Sequence, residues 1–105
     1  VILAAIAHSR TGDKGDTANV SVIAYRAQDY PRLVRQVTAD RVKRHLGGMV
    51  RGEVVRYELP RIGALNFVMT RALGGGVTRS LALDAHGKSL SSAILALELS
   101  DQEEP

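Results

Sequence analysis

The run His8-Ser9-Arg10-Thr11-Gly12-Asp13-Lys14-Gly15-Asp16-Thr17 packs an imidazole, three hydroxyls, two cations and two carboxylates into one short stretch. Three chemistries suit that mixture. Gly12 and Gly15 allow backbone N–H groups to converge on a phosphate or carboxylate, with Arg10 and Lys14 supplying charge. Asp13 and Asp16 are hard oxygen ligands of the kind Mg²⁺ or Ca²⁺ takes, but Lys14 stands between them and repels a cation. Alternatively, Asp13, Asp16 and Thr17 bond to the local backbone and hold a tight double turn. A Walker loop is excluded because GxxxxGK[ST] is absent, and an EF-hand because the acid spacing and closing Glu are missing. His8 is the acid/base candidate, since it follows an apolar segment that reads as a buried strand. His8, Ser9 and Asp13 are not read as a triad, because neighbours in sequence rarely converge as one.

A second cluster is Gly74-Gly75-Gly76 followed by Thr78, Arg79 and Ser80. Gly75 and Gly76 can form an anion nest with Arg79 as its clamp. The competing reading is a helix stop and a tight turn. Asn66 sits in an apolar run, where its amide either meets a ligand or satisfies a neighbouring backbone group. The sequence has no cysteine, which excludes a disulfide scaffold, a thiolate metal site and a cysteine nucleophile. Its three histidines have no metal-ligand spacing, so no metal is expected. Arg35, Arg41, Lys43, Arg44 and Arg51 form a basic set that suits nucleic acid, a solvated face or a protein interface. No recognition-helix, KH or RRM signature accompanies them. Aromatic residues are 4% with no Trp, which leaves bases little to stack on, so nucleic acid is disfavoured as a partner.

The elements that position these residues follow from pattern. At 105 residues there is room for one domain, taken as 1–99, and 45% hydrophobic content supports a packed core. Residues 100–105 read as an acidic flexible tail. The formal charge is +3, but the tail holds Asp101, Glu103 and Glu104, so 14 basic residues face 8 acidic ones in the body. That balance favours anionic partners. Val1–Ala7 is too short to cross a membrane and lacks a basic leader, so a cytoplasmic protein is expected. Val1–Ala7 and Asn19–Tyr25 read as strands, with His8–Ala18 as a long loop between them. Pro31 opens a helix with Leu33, Val34 and Val37 as its stripe. The stripe breaks at Thr38, which caps a second helix, Ala39–Leu46, ended by Gly47-Gly48. A strand centred on Val54–Glu58 stops at Pro60. Ile62–Leu73 reads as a helix apolar nearly all round. Arg79–Asp84 is a short strand, and Leu90–Leu99 a helix through Leu90, Ile94 and Leu97, with a strand ending left open by the alternation of Leu95, Leu97 and Leu99. Four strands with interleaved helices predict an α+β, two-layer sandwich: a four-stranded sheet with helices on one face.

HSRTGDKGDTANVSVIA, VRYELPRIGALNFVMTRALGGG and SLALDAHGK together resemble the small ferredoxin-like domain of the AtuA (acyclic terpene utilisation) family. The segments lie in the family's order, and the first is the most specific. In that family the domain closes a longer chain or stands alone. The resemblance implies a ferredoxin-like fold and an accessory domain that docks on a larger AtuA-like subunit or on itself. It also implies a role in catabolism of acyclic terpenes or related acids that travel as CoA thioesters. A shared polar site is then expected from Ser9, Arg10, Asp13, Lys14, Asp16, Thr17, Asn66, Gly75, Gly76 and Arg79, with a CoA thioester as its conceivable ligand. The alternative is a catalytic subunit acting on an acyl-CoA or another anionic acid, with His8 as its acid/base.

Overall fold

The computed structural model describes residues 1–72 and 88–100. Its centre is an antiparallel sheet of β1 (Ala7–Lys14), β2 (Thr17–Ala24), β3 (Val54–Leu59) and β4 (Ala64–Met69), in the order β1-β2-β4-β3. Among the described residues three α-helices accompany it: α1 (Tyr30–Gln36), α2 (Ala39–Leu46) and α3 (Lys88–Leu95). α3 packs along β1, α1 against β4, and α2 against β3 and α3. The result is an α+β two-layer arrangement, as expected, although two of its strands are not the expected ones.

Alternation along the strands decides which side is covered. Ala18, Val20 and Val22 of β2 and Leu65, Phe67 and Met69 of β4 are buried against Leu33, Val37, Val42, Leu46, Leu90 and Ile94. Each large side chain removed from water here contributes roughly 1.5–3 kcal/mol. The α1–α2 break falls where the stripe drifts. Thr38 Oγ1 accepts from Arg41 N–H at 3.2 Å, and Gly47 closes α2 with φ +56°.

Three expectations are corrected. Val1–Ala7 is not a strand: Leu3–Ala5 form a 3-10 turn that buries Leu3 alone, and Ile2 makes only an isolated bridge to Glu98. His8–Ala18 is not a loop: it is β1, a two-residue turn and the start of β2, paired from Ala7↔Ala24 to Lys14↔Thr17. Gly15 has φ +66° and Asp16 does not have positive φ, the pattern of a II′ hairpin turn, whose twist matches that of the strands. Ile62–Leu73 is not a helix. Pro60–Ile62 form a 3-10 turn, Gly63 takes φ +64°, and the chain returns as β4. β4 is a central strand, so its run reads as continuously apolar and its period cannot be told from that of a buried helix. The expected Arg79–Asp84 strand and the Gly74–Gly76 helix stop lie outside the described residues, as do 101–105. The last expected helix ends at Leu95, and the chain then runs alongside the N-terminus, with Leu3 N–H to Leu97 O and Leu99 N–H to Val1 O both at 2.8 Å.

Candidate functional site: the open face of the sheet

Because the chemical cluster is a strand, alternate residues part company. Ser9, Thr11 and Asp13 share the helix side of β1, while His8, Arg10 and Lys14 take the other side. Thr11 Oγ1 hydrogen-bonds Ser91 Oγ of α3. Ser9 Oγ is buried with no hydrogen-bond partner among the described residues. Asp13, Lys14 and Asp16 are exposed at the hairpin end, and the Asp16 carbonyl accepts from Ala72 N–H at 2.9 Å. Residues 8–17 therefore do not share one face. No group of three His, Asp or Glu side chains able to hold a metal comes together among the described residues. Gly75, Gly76 and Arg79 lie outside them.

The side of the sheet away from the helices carries a polar row across all four strands. Register aligns Arg10 with Ser21, Ser21 with Asn66, and Asn66 with Tyr57. Ser21 Oγ donates to Asn66 Oδ1 at 3.1 Å. Asn66 thus sits in a strand rather than a helix, and its amide meets a side chain across the sheet. Apolar neighbours flank this row. On one side Ile23, Ala64 and Leu59 line up beyond His8; on the other, Val68 and Val55 line up beyond Gly12 and Asn19. His8 stacks on Tyr25 with ring centroids 5.1 Å apart and planes at 28°. Among the described residues no carboxylate orients His8 and no hydroxyl is hydrogen-bonded to it, so a nucleophile–base pair is not formed there.

Sequence reasoning missed the apolar part of this face. Val55, Tyr57 and Leu59 are 42%, 52% and 40% exposed, and Tyr25 and Ile62 more than 60%. In β3 Val55, Tyr57 and Leu59 point away from the core, while Val54, Arg56 and Glu58 point towards the helices. The alternation was visible, but its assignment to a face was not. At the same end of the sheet, a recess of about 300 Å³ is lined by Ala24, Ala27, Tyr30 and the Pro60–Gly63 turn. The Tyr30 hydroxyl donates to Ala64 O at 3.0 Å; burial, then the nearby Glu58 carboxylate, push its pKa above the ordinary phenol value.

The basic set is largely occupied within the chain. Arg41 donates to Gln36 O (2.9 Å) and Glu98 O (2.7 Å), Lys43 reaches Val50 O and Gly52 O, and Arg44 lies 3.8 Å from Asp40.

A family model described as the AtuA ferredoxin-like domain matches residues 1–100. The chain belongs to that family. No curated protein and no solved structure matches it. For this AtuA ferredoxin-like domain, membership and the four-stranded sheet agree on the fold class expected from sequence. No helix among the described residues is long and apolar enough to cross a membrane.

Proposed function

We propose that this AtuA ferredoxin-like domain is an accessory module that docks on the larger AtuA-like subunit through the open face of its sheet. The system would act in the cytoplasm on acyclic terpene or related acyl-CoA compounds. The observation that carries the reading is the reversed β3: Val55, Tyr57 and Leu59 are exposed on a face that no described helix covers. An apolar face with a polar row across it is the anatomy of a protein interface rather than of a solvated surface. Arg10 and Lys14, on the same side of β1, supply the charge for an anionic group such as a CoA thioester at the rim.

Capture of the co-encoded larger subunit by the tagged domain tests the docking. Val68 is half-buried near the middle of the open face, and Val68→Lys is expected to lower capture at least about tenfold, as loss of a central contact does. Circular dichroism establishes that the variant is folded. Equal capture by wild type and variant, or none by either, overturns the reading. The anion site is tested by thermal shift with a CoA thioester: Arg10→Ala/Lys14→Ala should abolish a rise in Tm seen with wild type. A rise that survives in that variant places the ligand elsewhere.

The alternative, a catalytic subunit with His8 as acid/base, has one observation in its favour: His8 lies on the face that carries Arg10 and Lys14. If it holds, His8→Ala abolishes turnover of the reconstituted complex without loss of subunit capture; unchanged turnover removes it.

A further inference from the structure

Among the described residues β3 is an edge strand, and its backbone shows which groups face outward. Thr70 N–H donates to Glu53 O at 3.0 Å, in the register that pairs Val55 with Val68 and Tyr57 with Asn66. Odd-numbered residues of β3 therefore bond to β4, and Val54, Arg56 and Glu58 direct their N–H and C=O groups away from the sheet. Among the described residues no hydrogen bond reaches those outward groups. Edge strands are ordinarily blunted by a proline, a bulge or inward-pointing charges; Val54–Leu59 has no proline, and its two charges, Arg56 and Glu58, are of opposite sign and so can be matched by a second copy.

We infer that β3 pairs antiparallel with β3 of a second copy about a twofold axis at Tyr57, joining the two sheets into one. The pairing goes beyond the docking reading above: it uses the edge of the sheet rather than its open face. A twofold perpendicular to the sheet keeps the faces of both copies aligned, so paired residues must share parity. Two centres use nearly the whole strand. Centring on Arg56 sets the two guanidinium groups against each other. Centring on Tyr57 opposes the two tyrosines and sets Val55 against the partner's Leu59 on the open face. On the helix side it sets Arg56 against the partner's Glu58, and Glu58 against the partner's Arg56. Both outward-facing pairs then exchange their backbone N–H···O bonds, and each joins opposite charges. Arg56 is fixed on the helix side of this edge: its guanidinium donates to Val34 O and Val37 O at 2.8 and 3.0 Å and lies 3.1 Å from its own Glu58, so pairing would add the partner's Glu58 to a cation already held in place. The other edge offers no such match. In any twofold register of β1, Asp13 meets only Ala7, Ser9, Thr11 or Asp13.

A short edge with few side chains predicts a dimer of micromolar affinity. Sedimentation equilibrium of the full chain should show mass rising from monomer to dimer over about 1–100 µM. Glu58→Arg opposes arginines at both charged pairs and should weaken the dimer at least about tenfold. Tyr57→Lys opposes two cations on the axis without touching Arg56 and serves if the first variant is unfolded. The register is tested by cysteines, since the chain has none of its own. Tyr57→Cys meets itself across a close pair and should form a disulfide dimer on mild oxidation, whereas Val55→Cys should not. A monomer throughout the concentration range, or equal cross-linking of the two variants, overturns the inference. A monomeric domain that still captures the larger subunit overturns this pairing and leaves the docking reading standing; a dimer that captures nothing does the reverse.

Discussion

Tyr30 ties a helix to the sheet through a single hydroxyl. Its O–H donates to Ala64 O, and burial together with Glu58 raises its pKa, so the folded state holds the phenol proton more tightly than the unfolded chain does. A raised folded pKa gives stability that is fully present below the unfolded value, about 10 for tyrosine, and that is lost as pH rises through the folded value. Melting temperature followed from pH 8 upwards should therefore fall above about pH 10. Tyr30→Phe should cost about 1 kcal/mol at neutral pH and flatten that alkaline limb; an unchanged limb would show that Tyr30 is not its source. At this scale the chemistry of the site was half legible. The types of His8, Arg10, Lys14 and Asn66 marked them as candidates, but residue type carries no parity. Once His8–Lys14 is a strand, Ser9 and Asp13 leave the face that His8 and Arg10 occupy.

Elements were readable where their signals are local. The Thr38 cap and Gly47 stop α2 within one turn of the residues they govern, and Pro60 ends β3 in the same way. β1 was hidden because its polar residues are those of a loop and its pairing is with β2. The Gly15-Asp16 dipeptide between Lys14 and Thr17 was the available hairpin signal. β4 was hidden because Asn66 and Val68, on its outer face, are half-buried beside fully buried Leu65, Phe67 and Met69. The β3–β4 hairpin also extends past its strands. Gly52 N–H donates to Thr70 O, Arg51 N–H to Arg71 O, and Glu53 N–H to Thr70 Oγ1, while Arg71 takes φ +50°. A Cβ at position 52 would overlap the side chain and backbone of Thr70, whose backbone is held by its hydrogen bonds with Gly52 and Glu53. Gly52→Ala should therefore cost about 3 kcal/mol and lower Tm by roughly 10–20 °C. Gly48 meets open space, so Gly48→Ala should stay within about 0.5 kcal/mol of wild type. Equal melting of the two variants would show that the close approach at Gly52 does not exist.

For the whole molecule, the decisive long-range feature is that the two ends of the described chain close on each other. Leu97 and Leu99 are buried, and their backbones bond to Leu3 and Val1. Ser100 N–H donates to Gln36 Oε1 at 2.7 Å, its carbonyl accepts from Gln36 Nε2 at 3.2 Å, and Arg41 holds Glu98 O. The segment after α3 thus fastens the N-terminus and α1 to the same core, with contacts that span nearly the full sequence. Such contacts gain free energy only once the intervening chain is ordered, so they should behave as one cooperative unit with the sheet rather than as a fraying end. Removing residues after Ala96 takes away two buried leucines, each worth about 2–3 kcal/mol, and strands the partners of their backbone groups. Against a reference chain ending at Ser100, the shorter chain should lose on the order of 5 kcal/mol, a large part of what a domain of this size possesses. Its Tm should fall by more than about 20 °C, with amide exchange accelerated in β1 and β2 as well as at the cut end. If exchange instead rose only in Val1–Ile6 while the sheet kept its protection, the ends would be a separable clasp. In that case the open face and the β3 edge would stand on a core that does not need them closed.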